Sequence, residues 1–212
     1  MRRSLVMILT MLFCFLEGYS RNADSVYVNV SLSYQKLLKE HSASAELSYF
    51  HAFPDNAYEF AAWEIRNNQN EEDVCKFVQM LGKLMSVKDT LYCKKLIYLS
   101  IGASLDADGF NYLHALLHEK LNENGLFGVF ATILSDMTKG EQLRFWMFYW
   151  SSLCFQEETK GTYVDKDADK ERRLIFKRLG HRRTMKHIVR LAYKYSSRQI
   201  YFVSSYHLRV LL

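Results

Sequence analysis

The sequence predicts a mainly α-helical protein: a helical bundle or an irregular stack of antiparallel helical hairpins, with room for one small two-stranded sheet from the terminal segments. Three observations point there. The 212 residues contain one proline, Pro54, and nine glycines, too few turn-formers for an all-β domain of this length. Apolar residues recur at intervals of three and four along most of the chain. The composition is 49% hydrophobic and 15% aromatic, enough for a real core.

The first twenty residues have the layout of a secretory signal. Arg2 and Arg3 are followed by an apolar run over residues 5–16, then by Gly18 and Ser20 at −3 and −1 to a cut after Ser20. That run is shorter than the roughly 20 residues a membrane span needs, and no later segment is long and apolar enough. The expected organisation is a signal peptide over residues 1–20 and a single helical domain over 21–212, exported to the periplasm or outside the cell.

The body then reads element by element. Val26, Val28 and Val30 alternate with period two, which fits a short strand or extended lead-in. Residues 32–41 read as a short helix. Asp55 is placed to cap the next, which carries Tyr58, Phe60, Ala61 and Ile65. Asn70 followed by Glu71, Glu72 and Asp73 starts a helix with a capping residue and acids at the positive end of its dipole; Val74, Phe77, Val78 and Leu81 are its stripe. Lys88 and Asp89 open a helix through Leu91, Leu96, Ile97 and Leu99. Residues 104–124 carry the clearest stripe, Phe110, Leu113, Leu117 and Leu121, closed by Asn124-Gly125. Residues 126–137 and 141–155 are two more helices. The polar stretch 156–167 reads as the main loop. Residues 169–179 and 183–195 are basic amphipathic helices split at Gly180. Residues 199–212 fit a strand or a helix equally, a strand pairing naturally with Val26, Val28 and Val30.

Removing the signal, with Cys14 inside its apolar run, leaves Cys75, Cys93 and Cys154, an odd number. A hairpin turning at residues 86–89 offsets Cys75 from Cys93 by about 9 Å at the helical rise, so buried free thiols are expected.

Four groups of residues bear on function. His114 and His118 stand at i and i+4, the spacing that stacks two imidazoles for a metal, but no third ligand is visible and there is no glutamate between them as in HExxH. Asp165, Asp167 and Asp169 match the first half of a calcium loop, which then fails at Lys170 and Phe176, where Gly and Glu are required. No zinc or calcium cofactor is expected. Five aromatics crowd into residues 145–150, which reads as a central helix buried on most sides.

The fourth is charge. Residues 166–198 hold 12 Lys and Arg against 3 acids, net +9, whereas residues 21–165 hold 13 against 19, net −6. Lys186, Arg190, Lys194 and Arg198 repeat at i+4, flanked by Arg182, Arg183 and His187, opposite Met185, Ile188, Val189 and Ala192. No phosphate loop, nucleophile elbow, CxxC pair or dinucleotide fingerprint is present. The pattern suggests a non-enzymatic exported binding protein of the inhibitor, immunity or adaptor type, using Arg182, Arg183, Lys186, Arg190, Lys194 and Arg198 against an acidic protein partner. A metal-dependent enzyme on His114 and His118 and a peripheral protein on anionic lipid are the alternatives. Export argues against nucleic acid.

Overall fold

The computed structural model describes residues 23–67, 71–103, 108–123, 125–155 and 164–210. Side chains are described over 25–65, 74–103, 109–123, 125–151 and 168–196. The fold is all-α: ten helices and no strand among the described residues. They are α1 (Ala23–Glu40), α2 (Ala43–Ala52), α3 (Ala57–Asn67), α4 (Glu71–Gly82), α5 (Asp89–Ser100), α6 (Asp108–Asn122), α7 (Leu126–Asp136), α8 (Lys139–Phe155), α9 (Val164–Arg178) and α10 (Arg183–Val210). The signal-like residues 1–20, Asn70, Asn124, and the segments 104–107 and 156–163 lie outside the described residues, as do Cys14 and the side chain of Cys154.

Both terminal segments considered for a sheet are helical. Val26 and Val30 are buried in α1, while Val28 between them is 50% exposed. Positions i and i+4 share a face in a strand and in a helix alike, so alternation over five residues could not separate the two. Residues 199–210 continue α10 as helix. The polar stretch divides similarly: residues 164–167, expected in a loop, already belong to α9.

Local signals fix the helix ends. α1 stops at His41, whose φ of +46° is the left-handed C-terminal conformation, with its N–H bonded to the Leu37 carbonyl at 3.1 Å. Ser42 then caps α2, its side chain accepting from Ala45 N–H at 3.2 Å. At α3 the expected cap was one residue off. Asn56 accepts from Glu59 N–H at 2.9 Å, and the Glu59 carboxylate returns to Asp55 N–H at 3.1 Å. Asp55 instead ion-pairs with Lys95 at 2.6 Å. Before α8 the exchange is between one pair of residues: Glu141 N–H donates to the Thr138 hydroxyl oxygen, and the Glu141 carboxylate accepts from the Thr138 N–H and hydroxyl.

The core is continuous. α5 packs on α3, α6, α7 and α8, and α8 packs on α5, α6, α9 and α10. Phe145, Trp146, Phe148, Tyr149 and Trp150 of α8 are all buried, so the aromatic run is core as its composition suggested. The Phe110, Leu113, Leu117 and Leu121 stripe is likewise buried, as are Met185, Ile188, Val189 and Ala192. Leu91 and Ile65 instead face solvent. Cys93 is a buried free thiol, its pKa pushed up to about 12 chiefly by burial; Cys75 is free and half-buried.

Among the described residues Lys95 is the buried cation of the core. Its ammonium donates to the Phe53 carbonyl at 2.8 Å, lies 3.4 Å from the Pro54 carbonyl, and sits 4.6 Å over the Phe50 ring. It thereby closes the C-terminal end of α2, where carbonyls lack intrahelical partners.

Gly109 marks the tightest helix approach. Its N–H donates to the buried Glu64 carboxylate, placing an acid at the N-terminus of α6. A Cβ there would meet Glu64 Oε1 at 2.6 Å and Val74 Cγ1 at 2.8 Å. Gly109→Ala is expected to destabilise the fold by about 2 kcal/mol through overpacking. Gly128→Ala, on α7 where an added Cβ meets nothing within 4 Å, should be neutral or stabilise by up to about 1 kcal/mol. Denaturant melts of the two variants check the contrast.

Candidate functional site

Two places hold the residues singled out by sequence: the His114–His118 pair and the basic surface of α9 and α10. The pair projects from α6 onto α8. His114 Nε2 lies 2.9 Å from the Tyr149 carbonyl oxygen, His118 Nε2 lies 3.0 Å from the same oxygen, and the two nitrogens are 3.2 Å apart. The hydrogen-bond network assigns both rings the Nε2–H tautomer, each donating to that carbonyl. The His118 ring stacks on the Tyr149 ring, 3.9 Å between centroids and 11° between planes. The Tyr149 hydroxyl donates to Glu171 Oε1 at 2.6 Å, extending the chain of contacts to α9.

Burial holds both imidazoles neutral. It lowers each pKa from the ordinary 6.5 to about 4; His118 adds to the effect on His114, and the Tyr149 carbonyl partly opposes it for both. Burial, reinforced by Glu171, pushes the Tyr149 phenol well above its ordinary range. Among the described residues no third His, Cys, Asp or Glu joins the pair as a metal-ligating group. The i, i+4 spacing, which lacks a third metal ligand in the sequence, brings two donors to one main-chain oxygen. The calcium-like run is not a loop: Asp165, Asp167 and Asp169 lie in α9, and Asp169 pairs with Arg172 and with Arg173.

The basic region serves two purposes. One set of arginines holds the fold. Arg178 donates to the Leu121 carbonyl at 2.7 Å and the Glu123 carbonyl at 3.3 Å, closing the end of α6, and stacks 4.1 Å over Phe127. Arg172 pairs with Asp169 and lies 5.0 Å over Tyr193. Sequence reading missed both, because an arginine folded onto a carbonyl and one facing water look alike in charge.

The other set faces outward. Arg182, Arg183, His187, Arg190 and Lys194 are exposed and Lys186 is half-buried; the Arg198 side chain lies outside the described residues. Lys170, Arg173 and Lys177 of α9 are exposed as well. Glu171 is the last acid in the sequence, so nothing in residues 172–212 neutralises this surface from within. No described carboxylate pairs with Arg182, Arg183, Lys186 or Arg190. No helix among the described residues is long and apolar enough to cross a membrane. No family model, no curated protein and no solved structure matches the chain.

Two outcomes follow. Each histidine binds its proton less readily folded than unfolded, so between pH 6.5 and 4 the unfolded chain carries more protons. Stability should therefore fall as pH drops through that window, by an amount on the order of a few kcal/mol for the pair. His118→Phe keeps a ring on Tyr149 and removes one titrating group, so it should reduce the pH slope by roughly half. Denaturation at a series of pH values measures this. Separately, Arg178→Ala should cost about 2 kcal/mol, since it strips two carbonyls of a charged donor, whereas Arg183→Ala should stay within about 0.5 kcal/mol. Thermal melts of the pair distinguish the structural arginine from the surface one.

Proposed function

We propose that this is an exported, non-enzymatic binding protein of the inhibitor, immunity or adaptor type, which uses the outward basic surface of α9 and α10 against an acidic protein partner. The observation that carries the reading is the set of exposed cations on two adjoining helices, with no described carboxylate paired to Arg182, Arg183, Lys186 or Arg190 and the apolar side of α10 buried behind them. Charge arranged this way raises association rates and selects partners of opposite sign. The signal-like N-terminal layout supports export. Arg178 and Arg172, which do brace the fold, are separate from the row of Lys186, Arg190 and Lys194.

The metal-enzyme alternative has less support, because both histidines are spent on a main-chain carbonyl. An anionic lipid surface has some: Leu174 and Tyr195 are the exposed large apolar residues described on these helices.

Charge reversal at Lys186, Arg190 and Lys194 to Glu tests the reading. Each change should shift stability by only about ±0.5 kcal/mol, and association with acidic protein should slow and lose its salt dependence. Immobilised wild-type and triple-variant chains, matched by thermal melt, are challenged with envelope extract at low and high salt. Acidic proteins retained by the wild type alone, and released by salt, are the expected result. Identical retention by both chains would refute a role for this surface, and a large loss of stability in the variant would show that the row braces the fold.

A further inference from the structure

Arg190 differs from its basic neighbours. Its guanidinium carbon lies 5.4 Å from the centroid of the Phe176 ring, on the adjoining helix α9. Phe176 packs against the core and also has the Arg172 guanidinium 5.9 Å from its centroid. Arg172 is itself held by Asp169 and by Tyr193, 5.0 Å away. A half-buried ring packed against the core therefore gives the exposed Arg190 guanidinium a defined seat. A guanidinium held over a ring keeps N–H donors available to a second partner. Lys186 and Lys194 stand one turn before and after on the same helix, about 6 Å along the axis in each direction. No described carboxylate neutralises Arg190.

We infer that Arg190, seated on Phe176, is a preset fork that takes a carboxylate of the acidic partner in bidentate fashion, with Lys186 and Lys194 supplying flanking point charges. The inference rests on the binding role proposed above and adds a geometric requirement to it. A planar fork matches a planar carboxylate with two parallel hydrogen bonds, which an ammonium cannot reproduce. Holding the side chain in advance reduces the entropy lost when those bonds form. A protein carboxylate fits better than a lipid surface, because membrane insertion draws on a broad apolar face and only Leu174 and Tyr195 are large, apolar and exposed on the described parts of α9 and α10.

The test uses the full chain with poly-L-glutamate as the carboxylate probe, and vesicles rich in phosphatidylserine as the lipid probe, both at low ionic strength. Arg190→Lys keeps the charge and removes the fork; it should weaken poly-L-glutamate binding about tenfold. Arg183→Lys, at an exposed arginine with no ring beneath it, should change binding less than about twofold. Phe176→Leu keeps an apolar side chain and removes the seat, so it should approach the Arg190→Lys loss while circular dichroism stays helical. Equal effects of the two arginine-to-lysine changes would overturn the fork while leaving the charged surface in place, provided the triple Glu variant still abolishes binding. Unchanged binding of the triple variant would refute the surface itself. Tighter binding to the vesicles than to poly-L-glutamate, insensitive to Arg190→Lys, would overturn the fork in favour of lipid.

Discussion

The constraint on which the second half of the molecule depends is the burial of α8. A helix with Phe145, Trp146, Phe148, Tyr149 and Trp150 in sequence has only a narrow side to turn to water, through exposed Arg144 and half-buried Met147 and Ser151, so it must be covered on most of its surface. α5, α6, α9 and α10 supply that cover. The indole N–H groups of Trp146 and Trp150 find no acceptor among the described residues, as does that of Trp63. Each buried donor left without a partner costs about 1–3 kcal/mol, and each aromatic ring buries some 150–250 Å² at about 25 cal/mol per Å². Ring burial therefore outweighs the lost hydrogen bonds, and α8 holds its place through packing.

From α8 the same chemistry spreads through the fold. Phe148 meets Phe110, Phe110 meets Phe60, and Phe60 meets Phe53 and Trp63, which lead to Tyr49, Phe77 and Tyr34. In the other direction Trp150 meets Tyr193, on which Arg172 rests. A chain of ring contacts thus runs from α1 to α10. Apart from the indole N–H groups, several of the polar groups that enter it are satisfied by backbone. Lys95 lies against the Phe53 carbonyl, the Tyr49 hydroxyl donates to the Phe77 carbonyl at 2.6 Å, and the two histidines share the Tyr149 carbonyl. The His114–His118 pair belongs to this pattern. In a low-dielectric interface, a neutral imidazole that donates one hydrogen bond is tolerated where a charged one is not.

Much of the architecture was legible in the sequence, because long helices repeat their signal. The stripes of α4, α6 and α10 and the aromatic crowding of α8 each span several turns, so one misplaced residue cannot hide them. Short or terminal segments were not. Val26, Val28 and Val30 fit two periods at once, and tertiary packing chose the helix. The α3 cap moved from Asp55 to Asn56 because Lys95, distant in sequence, claims Asp55. Asp165 and Asp167, read as loop, lie in the same helix as Asp169, which was read as helical and turns to Arg172 and Arg173. At the candidate site, the spacing of His114 and His118 correctly placed them side by side. Their partner, a main-chain oxygen 31 residues beyond His118, has no sequence signature at all.

The basic region shows most clearly what charge counting leaves out. Its arginines are equivalent in sequence, yet the fold divides them by reach. Arg178 and Arg172 sit where a carbonyl, a carboxylate or a ring is within range, and each takes two or more such partners. Such contacts favour arginine over lysine, since a planar delocalised cation can stack and donate at once. Arg182 and Arg183, at the joint after Gly180 with its φ of +55°, have no such neighbours and remain in water. Arg190 is intermediate, with a ring beneath it and solvent above. Internal bracing and external charge therefore meet on the same two helices, and the aromatic core that packs α8 also decides which cations remain available outside.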